Sequence, residues 1–413
     1  MKTTNIFKNL LGITFLATGL LFVSCESDDG GSDTGITEIE PPIVLSCNYF
    51  SENPNAILED NPNAPVDYII TCGSMKIPDD VTIMPGVTIE FESNAGFWVQ
   101  GEGSLNAVGT LDKPITFSGV DKAMGSWGGI FFASNDPKNE VKYAVVEYGG
   151  GAPSSWATNE KAGVVIGSGA SLKFSENLVQ HCKAWGISLY YSANETQTTI
   201  EKNTFVQNEV PIRINSPMID VLKGDNIFSE NQVNKIEVRT GYALSGNKTL
   251  RKAAVPYLVT QTSGSSFRIG DGNLVVEPGV RLEMSSGTGF EVASAGSLKI
   301  AGTSTEKIMI TGADEVPGAW GNIRYSSTNS SNNQIQHVII KHAGQGANPT
   351  SYIGSKGAIY IGYQASLQLS DVHFEDIMSC VLFTDQHGIG NVQLGTNITS
   401  TNTNIVGLED CIL

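Results

Sequence analysis

The chain repeats itself once along its length, and this duplication limits the folds that it can adopt. The segment GSWGGIFF at residues 125–132 returns as GAWGNIRY at residues 318–325, 193 positions later. Other matches at the same offset are Pro85-Gly86 with Pro278-Gly279, Gly109-Thr110 with Gly302-Thr303, and Trp127 with Trp320. An ordered series of matches at nearly one spacing indicates two copies of one structural unit.

A shorter period lies within the copies. Short runs rich in β-branched and aromatic residues, such as VTIEF, PITFSG and GISLY, are bounded by Gly, Asn, Ser or Asp. This pattern is typical of short β-strands joined by tight turns, and no long stretch has the apolar period of an α-helix. Three residues recur after 23 positions: Asn203, Phe205 and Asn208 return as Asn226, Phe228 and Asn231.

Such a period predicts a solenoid, in which each coil of chain stacks its strands on those of the previous coil. Asparagines are then expected to form a ladder at one corner, and Phe205 to stack on Phe228 inside. The L/I-x-x-x-N-x-F/V-x-x-N turns and the paired G-x-W-G-x-I segments resemble the pectin-lyase-like superfamily over roughly residues 75–400. The resemblance implies a right-handed parallel β-helix. A β-propeller would show a longer period, and a β-sandwich would lack the stacked register.

The predicted fold class is therefore all-β, a right-handed parallel β-helix with internal duplication and an N-terminal cap. We expect the β-helix over residues 76–413, with duplicated units at about 76–230 and 255–413. Residues 41–75 are expected to form the cap, because an uncovered coil would expose its core and its strand edges. The glycines of GSWGGIFF and GAWGNIRY allow a tight corner, and the tryptophan of each is expected to cover the coil.

Residues 1–24 have the features of an export signal, with two lysines ahead of an apolar run too short to span a bilayer comfortably. The run ends in LFVSC, which resembles the bacterial lipobox and implies that Cys25 is lipidated. An ordinary cleaved signal peptide or a membrane anchor is the alternative. The polar, acidic residues 25–40 are expected to be a flexible tether.

The residues after Cys25 also bear on location. Ser27-Asp28-Asp29 resembles the surface-export signal of Bacteroidetes lipoproteins, which implies a lipid-anchored protein exposed on the outer membrane. The lipid would be its only contact with the membrane. With 42 acidic against 25 basic residues, the formal net charge of −17 argues against nucleic acid as a partner. We expect a monomer whose partner is a polysaccharide or a surface protein.

The six cysteines fit an oxidising compartment. With Cys25 committed to lipid, we predict one disulfide between Cys47 and Cys72 near the start of the fold. A second is predicted between Cys380 and Cys411 near its end, with Cys182 buried and unpaired. Connectivity does not follow from sequence alone. No motif for a resident cofactor is present, although calcium could bind at an acidic turn.

Differences between the two copies suggest a catalytic site. The second copy gains basic residues, with Arg324 in place of Phe131 and Lys341 in place of Glu147. Enzymes of the superfamily that the chain resembles include uronate lyases, which need a cation for the substrate carboxylate and a base for the C5 proton. Arg324 could supply the cation, and Lys341 or His337 the base, with Tyr325 nearby. The alternative is ordinary drift between copies, with Lys341 in a salt bridge.

Two long Gly/Pro/Ser loops carry the candidate ligand contacts. Trp156 lies in the first loop and Tyr352 in its counterpart, and long loops that project from a solenoid are common functional positions. The alternative is that these aromatic residues fold back over the coil. We therefore expect a non-catalytic surface lipoprotein that binds glycan or another surface component. A uronate lyase and a purely structural adhesin are the alternatives.

Overall fold

A computed structural model describes residues 39–153, 159–190, 192–262, 266–344, 357–384 and 391–403. Over these residues the chain forms a solenoid of short strands in which all strand pairings are parallel. Helical structure in the described residues is confined to α1 at Tyr49–Glu52 and to two 3₁₀ turns, Glu195–Gln197 and Ser216–Val221. The all-β parallel β-helix predicted from the sequence is confirmed.

The first half of the solenoid contains the strands β1 to β20. In chain order they are β1 Ile43–Leu45, β2 Ala56–Leu58, β3 Tyr68–Ile70, β4 Met75–Ile77, β5 Asp80–Ile83, β6 Thr88–Phe91, β7 Gly96–Val99, β8 Ser104–Val108, β9 Ile115–Gly119, β10 Gly129–Phe132, β11 Glu140–Lys142, β12 Ala144–Glu147, β13 Ala162–Ile166, β14 Lys173–Ser175, β15 Leu178–Gln180, β16 Trp185–Leu189, β17 Thr199–Glu201, β18 Thr204–Val206, β19 Val210–Asn215 and β20 Ile227–Ser229.

The second half contains the strands β21 to β37. They are β21 Ile236–Thr240, β22 Ala243–Leu244, β23 Asn247–Leu250, β24 Tyr257–Gln261, β25 Phe267–Ile269, β26 Asn273–Val276, β27 Arg281–Met284, β28 Phe290–Val292, β29 Ser297–Ala301, β30 Ile308–Gly312, β31 Ile323–Tyr325, β32 Gln334–Lys341, β33 Gly357–Ile361, β34 Leu367–Glu375, β35 Cys380–Thr384, β36 Val392–Leu394 and β37 Thr399–Thr401.

These strands stack into four sheets. Sheet A is β1-β3-β6-β9-β12-β15-β18-β20, and sheet B is β2-β5-β8-β11-β14-β17, so both belong to the first half. Sheet D is β22-β25-β28-β31-β33-β35 and belongs to the second half. Sheet C runs through both halves, from β4 through β19 to β21 and on through β24, β27, β30, β32 and β34 to β37. The long strands β32 and β34 also join it to the ladder β23-β26-β29.

The second half is turned by one sheet relative to the first. Strand β10, which begins in GSWGGIFF, lies in sheet C, whereas its counterpart β31 in GAWGNIRY lies in sheet D. Likewise β9 and β12 of sheet A have their counterparts, β30 and β32, in sheet C. The change occurs at β21, which pairs with β19 on one side and with β24 on the other. Equivalent residues of the two copies therefore lie on different sheets.

Residues shared by the two copies have structural roles. Trp127 and Trp320 are fully buried, and their indole Nε1 atoms donate hydrogen bonds of 2.7 Å to the carbonyl oxygens of Glu147 and Lys341, respectively. A side chain on Gly302 would place its Cβ 2.5 Å from the carbonyl oxygen of His337, so the close approach of the chain there requires glycine. The tryptophans thus form part of the core.

Asparagine ladders hold successive coils of the first half together. Asn203 Oδ1 accepts a 3.0 Å hydrogen bond from the backbone N–H of Asn177, and Asn226 Oδ1 accepts one of the same length from Asn203. A second ladder at another corner joins Asn208 to Asn231. Because these amides satisfy buried backbone groups of the neighbouring coil, they fix the register of the stack. The sequence predicted one ladder, and the structure contains two.

The aromatic stack agrees with the prediction, whereas the start of the solenoid differs from it. Phe205 and Phe228 stack with ring centroids 5.5 Å apart, as predicted. Residues 41–75, expected to form a cap, supply β1 to β4, which pair in parallel with the strands that follow. Within this segment α1 buries Phe50 against Phe97 at 5.8 Å between ring centroids. The parallel stacking therefore begins earlier than residue 76.

Candidate functional site

A groove of about 400 Å³ lies on sheet C in the second half, and we call it the second-half groove. Strands β27, β30, β32 and β34 provide its lining together with the turn that follows β30. The charged and polar side chains that line it are Arg281, Glu283, Thr311, Glu315, Lys341, His342, Glu375 and Asp376. Pro256 and Met309 add apolar surface. A concave surface with several convergent polar groups is the usual form of a ligand site.

Two ion pairs order the charged side chains of the second-half groove. Lys341 Nζ lies 2.7 Å from Glu375 Oε2, and Lys235 Nζ lies 2.5 Å from Glu283 Oε2. All four side chains remain between one fifth and about one third exposed. Pairs that keep this much contact with water contribute little to stability, so they remain available to a ligand.

His342 lies at the edge of the second-half groove, directly after Lys341 in the chain. It adopts a left-handed backbone conformation with φ of 61° and is only 7% exposed. Its ring Nδ1 is 3.0 Å from the Thr311 hydroxyl, and Nε2 is 3.9 Å from Asp376 Oδ2. The ring is therefore held between a hydroxyl and a carboxylate at the edge of the groove.

The corresponding face of the first half, on sheet A, is filled by a lysine. Lys122 Nζ donates hydrogen bonds to Glu90 Oε1 at 2.7 Å, to the Ser118 hydroxyl at 2.7 Å and to the Gly119 carbonyl oxygen at 2.9 Å. The Ser118 hydroxyl in turn donates to Glu147 Oε1 at 2.8 Å. The polar groups of this face thus satisfy one another.

Two charge reversals distinguish the second-half groove from this filled face. Glu315 replaces Lys122 at an offset of 193, and Lys341 replaces Glu147 at an offset of 194. Glu315 is exposed on the turn that follows β30. The sequence singled out Lys341 but missed Glu315, because an acidic residue in a turn is unremarkable by itself. The signal that identifies Glu315 is the reversal of charge at an aligned position.

Sheet C carries an aromatic cluster in the first half. Phe131 is 4% exposed and packs with Ala162 and Val165 in a group separate from the main core. Trp98 and Trp185 are partly buried and pack against this group. Because the alternating side chains of these strands supply the core on the other face, the cluster lies on the outward side of the sheet.

A buried arginine extends the aromatic cluster toward the second half. Arg213 is 2% exposed, and its guanidinium carbon lies 4.2 Å from the ring centroid of Trp185. It pairs with Glu160 and donates a 2.5 Å hydrogen bond to the Ser188 hydroxyl. Burial lowers the pKa of Arg213, and the charge of Glu160 opposes this shift. Trp185 Nε1 also donates to Glu237 Oε2 at 2.7 Å, so the indole is fixed from two sides.

The one-sheet turn between the halves brings the aromatic cluster and the second-half groove into line. Along sheet C, strand pairing places one outward residue per coil in a single column. In order these residues are Trp98, Phe131, Val165, Ser188, Arg213, Glu237, Leu258, Glu283, Thr311, Lys341 and Glu375. Val165, Ser188 and Arg213 of this column are buried, so a ligand that extends from the groove would reach the partly exposed Trp185 beside them. Adjacent strands are about 4.8 Å apart, which sets the length that such a ligand needs.

The structure separates the residues proposed for lyase chemistry. Arg324 lies on β31 in sheet D, where its guanidinium carbon is 4.9 Å from the ring centroid of Tyr360 and its Nε donates to the Ser326 hydroxyl at 3.0 Å. Lys341 lies on β32 in sheet C. Tyr325 is fully buried, and burial raises the pKa of its hydroxyl. Arg324 and Lys341 are thus on different sheets, with Tyr325 inside the core.

His337 lies at a bend within β32, between the part that pairs with β29 and the part that pairs with β30. Its φ of 51° is left-handed, as is the φ of 49° at its counterpart Tyr143. The residues described as lining the second-half groove include His342 but not His337. His337 therefore occupies a corner of the solenoid, and the histidine that lines the groove is His342.

Several predicted residues lie outside the described residues: Cys25, Trp156, Tyr352 and Cys411. The lipidation and the two aromatic ligand contacts therefore stay predictions.

The structure describes four of the six cysteines. Cys47 and Cys72 are joined in a disulfide that closes a separation of 25 residues. Cys380 is disulfide-bonded, and its predicted partner Cys411 is outside the described part of the chain. Cys182 is free and buried, and burial raises the pKa of its thiol to about 12.

Comparison with protein-family models, curated proteins and solved structures found no match. Over the described ranges, no helix is long and apolar enough to cross a membrane. The same residues contain no group of three or more His, Cys, Asp or Glu side chains placed to hold a metal ion.

Proposed function

We propose that this protein is a surface lipoprotein that binds a glycan chain along sheet C, with the second-half groove as its main site. The observation that carries the proposal is the open groove of about 400 Å³ at a position that the first half fills with Lys122. In the second half Glu283 pairs with Lys235 and Thr311 with His342, yet a concave space remains above them. A ligand in that space can form further hydrogen bonds with the same groups.

The chemistry of the second-half groove suits a sugar. Carboxylates such as Glu375 accept hydrogen bonds from hydroxyl groups, while Arg281 and Lys341 donate them. On the same sheet, Trp98 and Trp185 are partly exposed, with Lys76 over the first ring and Arg213 and Arg239 over the second. A sugar can therefore contact the exposed edges of these indoles. The parallel sheets are also compatible with the pectin-lyase-like superfamily, which contains carbohydrate-active enzymes and non-catalytic surface proteins.

Binding has more support than catalysis by a lyase. The expected cation and base, Arg324 and Lys341, lie on different sheets, and Lys341 is paired with Glu375. A direct test follows absorbance of the unsaturated product when the protein is incubated with polyuronates. Robust activity that is lost in Lys341→Ala would restore the lyase hypothesis and overturn the binding proposal.

Glycan binding is tested by titration calorimetry with oligosaccharides found on a glycan array. We expect Lys341→Met and Glu375→Gln to weaken binding by at least about tenfold, because each leaves a charged partner without its ion pair and removes a ligand contact. The matched control is Glu147→Gln, which changes the filled face of the first half and should leave affinity unchanged. If no glycan on the array binds and the protein instead captures a surface protein, the alternative function of a structural adhesin is favoured.

The length of the bound chain provides a second test. Four strand steps of about 4.8 Å separate β16, which carries Trp185, from β27, which carries Glu283. Longer oligosaccharides should therefore bind more tightly than short ones, and Trp185→Leu should remove this gain while leaving short ligands unaffected. Equal affinity for all lengths would confine the ligand to the groove.

A further inference from the structure

The first half shows how this fold holds a primary ammonium group. Lys122 Nζ is bound by three acceptors, which are the Glu90 carboxylate, the Ser118 hydroxyl and the Gly119 carbonyl oxygen, at 2.7 to 2.9 Å. Three acceptors match the three N–H donors of an ammonium, and one of them carries the opposite charge. We call this arrangement the ammonium seat.

The second half keeps the acceptors of the ammonium seat but has no lysine at the position of Lys122; instead Lys235 pairs with Glu283, and the Thr311 hydroxyl contacts His342. At the common offset, Glu283 corresponds to Glu90, Thr311 to Ser118 and Gly312 to Gly119. Glu283 pairs with Thr311 across β27 and β30, just as Glu90 pairs with Ser118 across β6 and β9. The position of Lys122 is taken by Glu315, which adds a negative charge.

The second-half groove has capacity for an added positive charge. Among the contacts of the described residues, Lys235 engages Oε2 of Glu283, which leaves Oε1 for a ligand. Four carboxylates line the groove against two permanently charged cations in the lining, Arg281 and Lys341, and a third, Lys235, pairs with Glu283 from outside it. A bound ammonium would thus reduce a local excess of negative charge and form charge-assisted hydrogen bonds.

We infer that the second-half groove recognises a primary ammonium group on its ligand, in the seat formed by Glu283, Thr311 and the Gly312 carbonyl. This inference rests on the proposed glycan-binding function and names its ligand class, a glycan that contains amino sugars with free amino groups. The line of aromatic residues on sheet C favours a sugar chain over a lysine side chain of a partner protein.

The test compares three tetrasaccharides of similar size by titration calorimetry at pH 6: a glucosamine oligomer, its N-acetylated form and a glucose oligomer. We expect the glucosamine oligomer to bind at least about tenfold more tightly than the other two, because only it carries ammonium groups. Glu283→Gln should abolish this preference. Glu315→Lys should do the same by placing the protein's own ammonium in the seat, and Glu90→Gln is the matched control that leaves binding unchanged.

The outcomes separate this inference from the function on which it rests. Equal binding of all three tetrasaccharides would preserve glycan binding and overturn the ammonium seat. Binding of none of them, and of no other oligosaccharide, would overturn both. Binding of a lysine-rich peptide without any binding of the glucosamine oligomer would replace the sugar by a protein partner. Thermal unfolding of each variant identifies losses that come from misfolding.

Discussion

The two halves carry corresponding polar faces, but only the face of the second half forms a groove. In the first half Lys122 binds Glu90, Ser118 and the Gly119 carbonyl oxygen, so the face of sheet A is complete without a ligand. In the second half the corresponding residues line a groove on sheet C. Duplication therefore preserved the scaffold, while two reversals of charge changed the polar face of one copy.

The two copies share a buried tryptophan at the same position, Trp127 in the first and Trp320 in the second. The indole Nε1 of each repeated tryptophan bonds the backbone carbonyl of the residue at which one charge reverses, Glu147 in one half and Lys341 in the other. The hydrogen bond is to the main chain, so it persists whatever side chain projects outward. A buried indole thus fixes the backbone beneath a variable surface position. This separation of core from surface explains how the second copy could change its chemistry without changing its fold.

The largest expected effect comes from removing the shared indole in each half. Trp127→Ala should lower the free energy of unfolding by about 3–5 kcal/mol, because it leaves a large cavity in the core. Trp127 stacks on Phe91 at 4.2 Å, whereas the counterpart of Phe91 is Met284. Trp320→Ala should therefore cost less, by about 0.5–1.5 kcal/mol. Denaturant unfolding followed by circular dichroism measures both.

A matched variant separates volume from hydrogen bonding. Trp127→Phe keeps much of the apolar volume but loses the N–H that bonds Glu147, so it should fall between the wild type and the alanine variant. If Trp127→Ala costs less than about 1 kcal/mol, the indole is not the core element that its burial indicates. Equal losses in the two halves would remove the role assigned to Phe91.

The second comparison concerns the asparagine ladder, which the two copies do not share. Asn177 Oδ1 accepts a 2.9 Å hydrogen bond from the Ala144 N–H, and its Nδ2 donates to the Val141 carbonyl oxygen at 2.9 Å. Ser171-Leu172 matches Ser366-Leu367 at an offset of 195, so the counterpart of Asn177 in the second half is Val372. Asn177→Val should destabilise the protein by about 1–3 kcal/mol, because buried backbone groups lose their partners.

The reciprocal change is the control for the ladder. Val372→Asn places an amide at a position that is 1% exposed, and should also cost about 1–3 kcal/mol because the amide is buried away from a ladder. Both are measured by chemical denaturation. A stabilising effect of either swap would show that the two corners are interchangeable, which the ladder contacts argue against.

The fold followed from the sequence because the signals were local and repeated. Asn203 and Phe205 recur with their partners at a fixed spacing, and each coil stacks in register on the next, so a one-dimensional pattern sufficed. The groove did not follow, because it depends on which sheet each strand joins. The turn by one sheet at β21 separated Arg324 from Lys341 and brought Lys341 into line with Arg213 and Glu237, the residues that contact Trp185. No short motif encodes that rotation.

A smaller effect is expected from opening the filled face of the first half. Lys122→Glu copies the second half and should lower the free energy of unfolding by about 0.2–1 kcal/mol, as for other exposed ion pairs. A crystal structure of the variant should show a groove over Glu90 and Ser118. The control is Lys113→Ala, which removes a more exposed pair with Asp60. A face that stays closed in Lys122→Glu would mean that the lysine is not what fills it.

The smallest effect is a difference in pH dependence between the halves. Hydrogen bonds from Lys138 and Ser104 hold the pKa of Asp80 below its ordinary value, and its counterpart in the second half is the uncharged Asn273. A lowered folded-state pKa contributes stability that is present above the unfolded value of about 3.9 and is lost as pH falls through the folded value. Asp80→Asn should therefore cost about 0.5 kcal/mol or less at pH 7. That difference should shrink as the pH falls below the unfolded value and through the lowered folded value, because the carboxyl becomes protonated in both states. Urea unfolding of both proteins across pH 3 to 7 measures it, and a difference that grows on acidification would contradict the assignment to Asp80.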